Sequence, residues 1–157
     1  MNAVMNAHGH SVRAPLAQVP AHLNNTAAYE REAIHHLPAA VWQHIQEGSD
    51  QNLTLQHNRH ALDTLRLCPA PLADLSQAHT RLTLFGQTLH SPIMLAPVAY
   101  HRLAHPEGEL ATVRAATALQ TPMIVSTLSS YTLEEIACAG RTAAQAMNKS
   151  ETPHWGQ

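Results

Sequence analysis

The chain after residue 25 begins with apolar residues at helical spacing. The patterns over 27–36 and 39–46 predict two helices, and Pro38 stands at the start of the second, where a missing amide costs nothing. Leucines at near-helical spacing predict a third helix over 52–65, which Pro69 and Pro71 separate from the next segment of the chain. The residues expected on the apolar face of the second helix are Val41, Trp42 and Ile45.

Later segments have the patterns of strands. Residues 81–89 alternate around Gly86, which predicts a short two-stranded hairpin. Residues 92–98 form a continuous apolar run, which is typical of a parallel strand buried on both faces, and residues 122–127 form a second one. We therefore expect a parallel sheet after the hairpin.

Each of these two runs precedes a predicted helix. Pro106 opens the first, over 106–120, and Glu107 and Glu109 suit the positive end of its dipole. Thr132 and Glu135 have the spacing of a capping box for the second helix, which we expect to end near Ala139. The order predicts a right-handed βαβ unit and one further helix.

The rest of the chain carries no clear signal. Residues 1–25 lack periodicity, and we interpret them as a mobile leader. After Gly140 no third strand is predicted, so residues 141–157 are interpreted as a divergent tail. Two almost entirely apolar strands need neighbours on their edges, and the fold is therefore expected to be interrupted.

Composition excludes several partners. The formal net charge is -2 and charged residues make up 13%, which provides no electrostatic footprint for nucleic acid or an anionic membrane surface. Two cysteines in unrelated contexts indicate neither a disulfide framework nor a zinc site. With no signal-peptide pattern and no apolar run of about 18 residues, a cytoplasmic protein without a membrane segment is expected.

One block of the sequence resembles a known family. The stretch 92–99 (PIMLAPVA), the block 103–109 (LAHPEGE) and residues 114–116 resemble the first barrel strand and helix of the FMN-dependent 2-hydroxy-acid dehydrogenases and oxidases, which include glycolate oxidase and L-lactate oxidase. Weaker matches extend the resemblance to about 37–139, among them Leu37-Pro38, Gly48, Asn58-Arg59, Asp74 and Gly86.

The resemblance implies an α/β fold of the (β/α)8 barrel type, with FMN across the carboxyl ends of the strands. Residues 26–140 would form its N-terminal helices, a hairpin and the first two βα units of an incomplete barrel. It also implies oxidation of a small 2-hydroxy acid, such as L-lactate, to a 2-oxo acid. The intact family member could form a homo-oligomer.

The resemblance suggests site residues as well. The backbone of Pro97, Val98 and Ala99 would contact the flavin ring and the Ser126 hydroxyl would reach it, whereas the alternative is that these residues simply end two strands. His44 stands where the family usually has a tyrosine that binds the substrate carboxylate, and an imidazole can also donate to a carboxylate. It could equally be a polar residue on a helix face.

The family's catalytic histidine, arginine and lysine have no counterpart. The Asn-His-Gly-Gly-Arg type of signature is absent, and residues 154–157 match the family's next strand only faintly, so we interpret the chain as truncated and inactive alone. Two alternatives stay open: a non-catalytic product or interaction module, and a histidine-rich metal-binding protein. The pairs His8/His10, His57/His60 and His101/His105 lack further ligands, so no metal is expected.

Overall fold

The computed structural model describes residues 3–5, 11–13 and 18–157. The chain divides into two compact units. One is a helical unit of His22–Ala78, and the second is formed by Met1–Ala21 and His79–Gln157. The elements are β1 (Ala3–Met5), β2 (Ser11–Arg13), α1 (Thr26–Ala33), α2 (Ala39–Gln46), α3 (Leu53–Thr64), β3 (Leu82–Leu84), β4 (Gln87–Leu89), a 3-10 turn (His101–Leu103), α4 (Gly108–Ala118), β5 (Ile124–Val125), α5 (Leu133–Ala146) and β6 (Trp155–Gly156).

The helical unit contains the three helices that the sequence predicts. Asn25 caps α1 by accepting a hydrogen bond from the Ala28 amide at 2.9 Å. On α2 Val41 is buried and Trp42 half-buried, but Ile45 is exposed, so the expected apolar face is only partly right. No residue of α3 is buried. Helical spacing identifies residues that share a face, and it does not say whether anything covers that face.

The predicted hairpin is confirmed. β3 and β4 pair antiparallel from Leu82↔Leu89 to Leu84↔Gln87, which leaves a two-residue turn. Phe85 and Gly86 both have positive φ, 49° and 74°, as a two-residue turn that follows the strand twist requires. Within the predicted leader, β1 pairs antiparallel with β2, while residues 1–2, 6–10 and 14–17 of the leader lie outside the described residues.

A small parallel sheet lies in the second unit. Leu95 bridges to Met123: its amide donates to the Pro122 carbonyl at 2.9 Å, and its carbonyl accepts from the Ile124 amide at 2.9 Å. β5 continues the sheet by pairing with β6 in parallel, Ile124 with Trp155. The parallel arrangement predicted for 92–98 and 122–127 is therefore confirmed.

The predicted length and burial of the first strand are wrong. Only the Leu95 bridge forms within 92–98, and Ile93 and Val98 are 63% and 57% exposed rather than buried. Pro92 and Pro97 have no amide hydrogen to donate, which limits the ladder on both sides of Leu95.

The expectation that no strand follows Gly140 is also wrong, since β6 supplies one. α5 itself continues to Ala146, beyond the predicted end near Ala139. Gly140 does not end the helix: a Cβ there would stand 3.3 Å from Val113 Cγ2 and 3.4 Å from His154 Nε2. The glycine therefore serves close packing of α5 against α4 and the segment before β6.

The core of this unit lies between the sheet and two helices. Val113 and Ala116 of α4, Met123 and Val125 around β5, and Ile136 of α5 are buried together. Each large side chain of such a cluster contributes roughly 1.5 to 3 kcal/mol through burial. The predicted capping box starts α5, with the Glu135 amide donating to Thr132 Oγ1 and the Thr132 amide to Glu135 Oε2. No helix among the described residues is long and apolar enough to cross a bilayer.

His154 fastens the segment before β6 to the sheet. The Met123 amide donates to its Nδ1 at 3.2 Å, so the neutral ring carries its proton on Nε2, which is buried without a partner among the described residues. Burial lowers the pKa of His154. The folded protein therefore holds this ring in its neutral form.

We predict that the free energy of unfolding falls as the pH drops below about 6.5, because the unfolded chain then binds a proton that folded His154 resists. The loss should not exceed about 1.4 kcal/mol per pH unit for this one group. Asn at position 154 can still accept the Met123 hydrogen bond but does not titrate, so His154→Asn should flatten the dependence. Urea denaturation over the acid range, with His79→Asn at an exposed position as the control, measures this. An unchanged slope in His154→Asn would contradict the prediction.

Gly108 supplies a second test. Its φ is +50°, and a Cβ there would stand 2.6 Å from Arg102 Cγ and 3.2 Å from the Arg102 amide nitrogen. Gly86 has a φ of +74° but open space around its Cα. We expect Gly86→Ala to cost about 1 to 2 kcal/mol through backbone strain alone, and Gly108→Ala to cost clearly more. Equal losses in urea midpoints would show that the Arg102 contact is unimportant.

Candidate flavin site

The predicted flavin contacts follow two neighbouring strands. Pro97, Val98 and Ala99 come just after the bridging residue Leu95, and Ser126 directly follows β5. Because Leu95 pairs with Met123 in parallel, both segments leave the sheet at the same edge. The structure thus brings these four predicted residues to the carboxyl ends of adjacent strands, where α/β proteins place their sites.

The site offers hydrogen-bond donors without offering charge. Pro97 and Val98 are exposed and Ala99 is half-buried. Within the described parts of the chain, no hydrogen-bond partner occupies the Val98 or Ala99 amide. The Ser126 hydroxyl accepts from the Leu128 amide at 3.1 Å, which leaves its own hydrogen available. Two amides and one hydroxyl can therefore donate to carbonyl oxygens or ring nitrogens of a ligand.

A cavity of about 250 Å³ adjoins Ser126. It is lined by the end of β5, the loop after that strand, the start of α5 and the end of β6, and residues 97–99 lie outside its lining. Complete sites for small molecules and cofactors usually measure about 300 to 1,000 Å³. This cavity is therefore large enough for part of a cofactor beside Ser126, but not for all of it.

The two loops at this edge are hydrogen-bonded to each other. The Tyr100 amide donates to the Leu128 carbonyl at 3.0 Å, and the Arg102 amide donates to Ser130 Oγ at 3.3 Å. The Arg102 guanidinium carbon lies 5.4 Å from the centre of the Tyr131 ring, within cation–π distance. The segment after Leu95 and the segment after β5 therefore form one connected surface.

A buried carboxylate lies beneath these loops. Glu109 is 1% exposed, and its Oε1 accepts from the His101 amide at 3.1 Å and the Ser130 amide at 2.9 Å. Burial opposes ionisation of this carboxyl, but the amides of Ser130, Glu109 itself and His101 outweigh burial and hold its pKa below the ordinary value. The sequence indicates only a charge suited to a helix dipole, so the tertiary role of Glu109 was missed.

His44 belongs to a different part of the structure. It lies on α2 in the helical unit, where its side chain is exposed. Its proposed contact with a substrate carboxylate stays a prediction. Residues His8 and His10 lie outside the described residues, and the part of the chain that is described holds no group of three or more His, Cys, Asp or Glu side chains placed to bind a metal ion.

Comparison with known proteins agrees with the resemblance. The sequence model of the FMN-dependent dehydrogenase family matches residues 33–155. An L-lactate oxidase from Lysinibacillus sphaericus (strain C3-41) is 40% identical over 119 residues, which cover 76% of this chain and 31% of that protein. The chain thus spans about a third of the length of the curated relatives it matches.

Solved structures agree with this. The crystal structure of a lactate oxidase from Pediococcus acidilactici matches with a TM-score of 0.81 and 28% identity, covering 98% of this chain and 40% of that one. A mandelate oxidase variant with an FMN adduct matches with a TM-score of 0.71 and 39% identity, covering 82% and 36%. FMN is the cofactor of the family that all these matches share. With its family model matching 33–155 and relatives at 40% identity, the chain belongs to the FMN-dependent dehydrogenase family.

Proposed function

We propose that this chain forms part of the flavin cradle of an FMN-dependent oxidoreductase that converts a small 2-hydroxy acid, such as L-lactate, to the 2-oxo acid. In such a protein the bound flavin accepts the two electrons of the oxidation. The observation that carries the proposal is that the Val98 and Ala99 amides, which have no hydrogen-bond partner among the described residues, and the Ser126 hydroxyl follow two parallel strands at the same edge of the sheet.

These donors suit a flavin ring. The ring presents carbonyl oxygens and ring nitrogens that accept hydrogen bonds, so backbone amides at 98 and 99 would hold one edge in place. The free hydrogen of the Ser126 hydroxyl would donate to a second acceptor. Fixed donors also stabilise the electron density that the ring gains during oxidation of the substrate. The low charge content of this edge fits a cofactor whose ring is neutral when oxidised.

The phosphate of FMN would find less support here. Barrels of this type usually bind phosphate in loops after their seventh and eighth strands. In the described residues the parallel sheet contains only Leu95, β5 and β6. We therefore propose that the chain by itself binds the flavin weakly and mainly through the ring.

The substrate side of the proposal rests on the resemblance. His44 would donate to the substrate carboxylate, more strongly when its imidazole is protonated. The proton of the substrate would have to pass to a base, and the family's histidine and arginine have no counterpart in the sequence. Turnover therefore requires groups beyond those that we assign here, and self-association of the intact family member stays a prediction.

The ring-binding proposal predicts that riboflavin, which lacks the phosphate, binds as well as FMN does. Loss of one neutral hydrogen bond at Ser126 should weaken both about 2- to 12-fold, corresponding to roughly 0.5 to 1.5 kcal/mol. Fluorescence anisotropy of the two flavins, titrated with wild type and Ser126→Ala, measures this. Ser150→Ala, which removes an exposed hydroxyl bonded to Gln120, is the control. FMN binding far tighter than riboflavin would show that a phosphate site exists, and equal affinity in Ser126→Ala would remove Ser126 from the cradle.

We also predict that the 157-residue chain does not oxidise L-lactate, glycolate or mandelate, even with excess FMN. The oxidation needs a base for the substrate proton and an arginine that orients the substrate carboxylate, and the family's histidine and arginine have no counterpart in this sequence. The base alone is typically worth about 10² to 10⁴ in rate. The measurement is bleaching of the flavin absorbance under anaerobic conditions after each acid is added. Bleaching by L-lactate would contradict the prediction and place a base among the residues present.

A further inference from the structure

We infer that Glu109 is a positioning residue, whose buried carboxylate holds the two loops that carry the proposed flavin contacts at a fixed separation. This inference rests on the proposed function for its link to flavin. A single oxygen atom of Glu109 joins the two loops. Glu109 Oε1 accepts from the His101 amide in the first loop and from the Ser130 amide in the second.

Each bridged amide is close in sequence to a proposed flavin contact. His101 is two residues past Ala99, and Ser130 is four residues past Ser126. Movement of either amide away from Oε1 would therefore shift the backbone that presents the ring donors. The same two segments are also joined by the Tyr100 amide, which donates to the Leu128 carbonyl at 3.0 Å. Little freedom of movement therefore remains between each bridged amide and the flavin contact near it.

The chemistry of the carboxylate favours a positioning role over a role in stability alone. Burial of an ionised carboxylate is costly, and the cost is offset only when its oxygens find donors. Oε1 has two amide donors, whereas Oε2 is buried and has no partner among the residues described. A core built for stability alone would rarely keep such a half-satisfied charge, and unsatisfied groups of this kind concentrate at functional sites.

A carboxylate also makes stronger bonds than a neutral acceptor. Hydrogen bonds to an ionised oxygen are shorter and about twice as strong as neutral ones. The carboxylate sits in the first turn of α4, whose Val113 and Ala116 are packed into the core, so its backbone is rigidly held. Glu109 therefore attaches the two loops to α4 as well as to each other.

The test compares Glu109→Ala and Glu109→Gln with two controls in the 157-residue chain. Glu107→Gln removes a charge from the same end of α4, where Glu107 is exposed and paired with Arg114 at 3.0 Å. Val113→Ala lowers stability through the core without touching either loop. Two quantities are measured for each variant: hydrogen exchange at the His101 and Ser130 amides, with Ile124 as a reference in the sheet, and riboflavin affinity.

In Glu109→Ala we expect exchange at His101 and Ser130 to accelerate together, by on the order of 10-fold or more, while Ile124 exchange changes little. Riboflavin affinity should fall by about 10-fold, because the His101 and Ser130 amides lose their shared acceptor and the two loops are no longer held together. Glu109→Gln keeps a neutral acceptor, so both effects should be present but smaller, about threefold. Glu107→Gln should match wild type. Val113→Ala weakens the core that holds α4, so it should accelerate exchange at all three amides alike rather than at the two loop amides alone.

Several results would overturn the inference. Acceleration at only one of the two amides would remove the bridge, and unchanged riboflavin affinity in a Glu109→Ala chain with both amides accelerated would remove the positioning role. If Glu109→Ala does not fold, Glu109→Gln provides the test. Exchange rates and riboflavin affinity equal to those of wild type in Glu109→Gln would overturn the inference that the ionised carboxylate positions the two loops. Wild-type chain that binds neither riboflavin nor FMN would instead contradict the proposed function, which distinguishes the two failures.

Discussion

The two peptide hydrogen bonds of Leu95 attach the first βα unit to the second. One joins its amide to the Pro122 carbonyl, and the other joins its carbonyl to the Ile124 amide. The candidate site depends on this bridge, because it makes the segment of residues 97–99 and the segment that begins at Ser126 leave the sheet at the same edge. Prolines on both sides prevent a longer ladder, so the remaining alignment has to come from the loops and from the helices that pack on the sheet.

The helices supply that alignment through close packing. α4 and α5 meet over Val113 and Ile136, and Gly140 lets the His154 ring approach α5. His154 in turn accepts the Met123 amide, one residue before β5 begins. The glycine, the histidine and β6 are thus parts of one arrangement that extends the sheet on the side away from Leu95.

The candidate site combines neutral donors at its surface with a charge beneath it. The amides of residues 98 and 99 and the Ser126 hydroxyl, at the carboxyl ends of two strands, are the proposed ring donors, and Glu109 stays buried beneath the loops that follow them. In the proposed complex such a division would keep a full charge away from the flavin ring, while the hydrogen bonds of Glu109 order the backbone of both loops.

The sequence by itself determined the local structure: the three N-terminal helices, the hairpin around Gly86 and the capping box of α5 come from periodicity and turn chemistry. The family came from the resemblance of the block around residues 92–109, and the assignment of 97–99 and Ser126 as flavin contacts, which the resemblance also implies, stays a prediction. Burial and length were decided by tertiary structure. Ile93 is exposed, and β6 forms from a segment with no strand pattern, because pairing depends on which neighbour a backbone meets rather than on its own residues. Glu109 shows the same limit, since the spacing along α4 places it at a helix start, and only the folding of two distant loops onto that start makes its carboxylate a buried bridge.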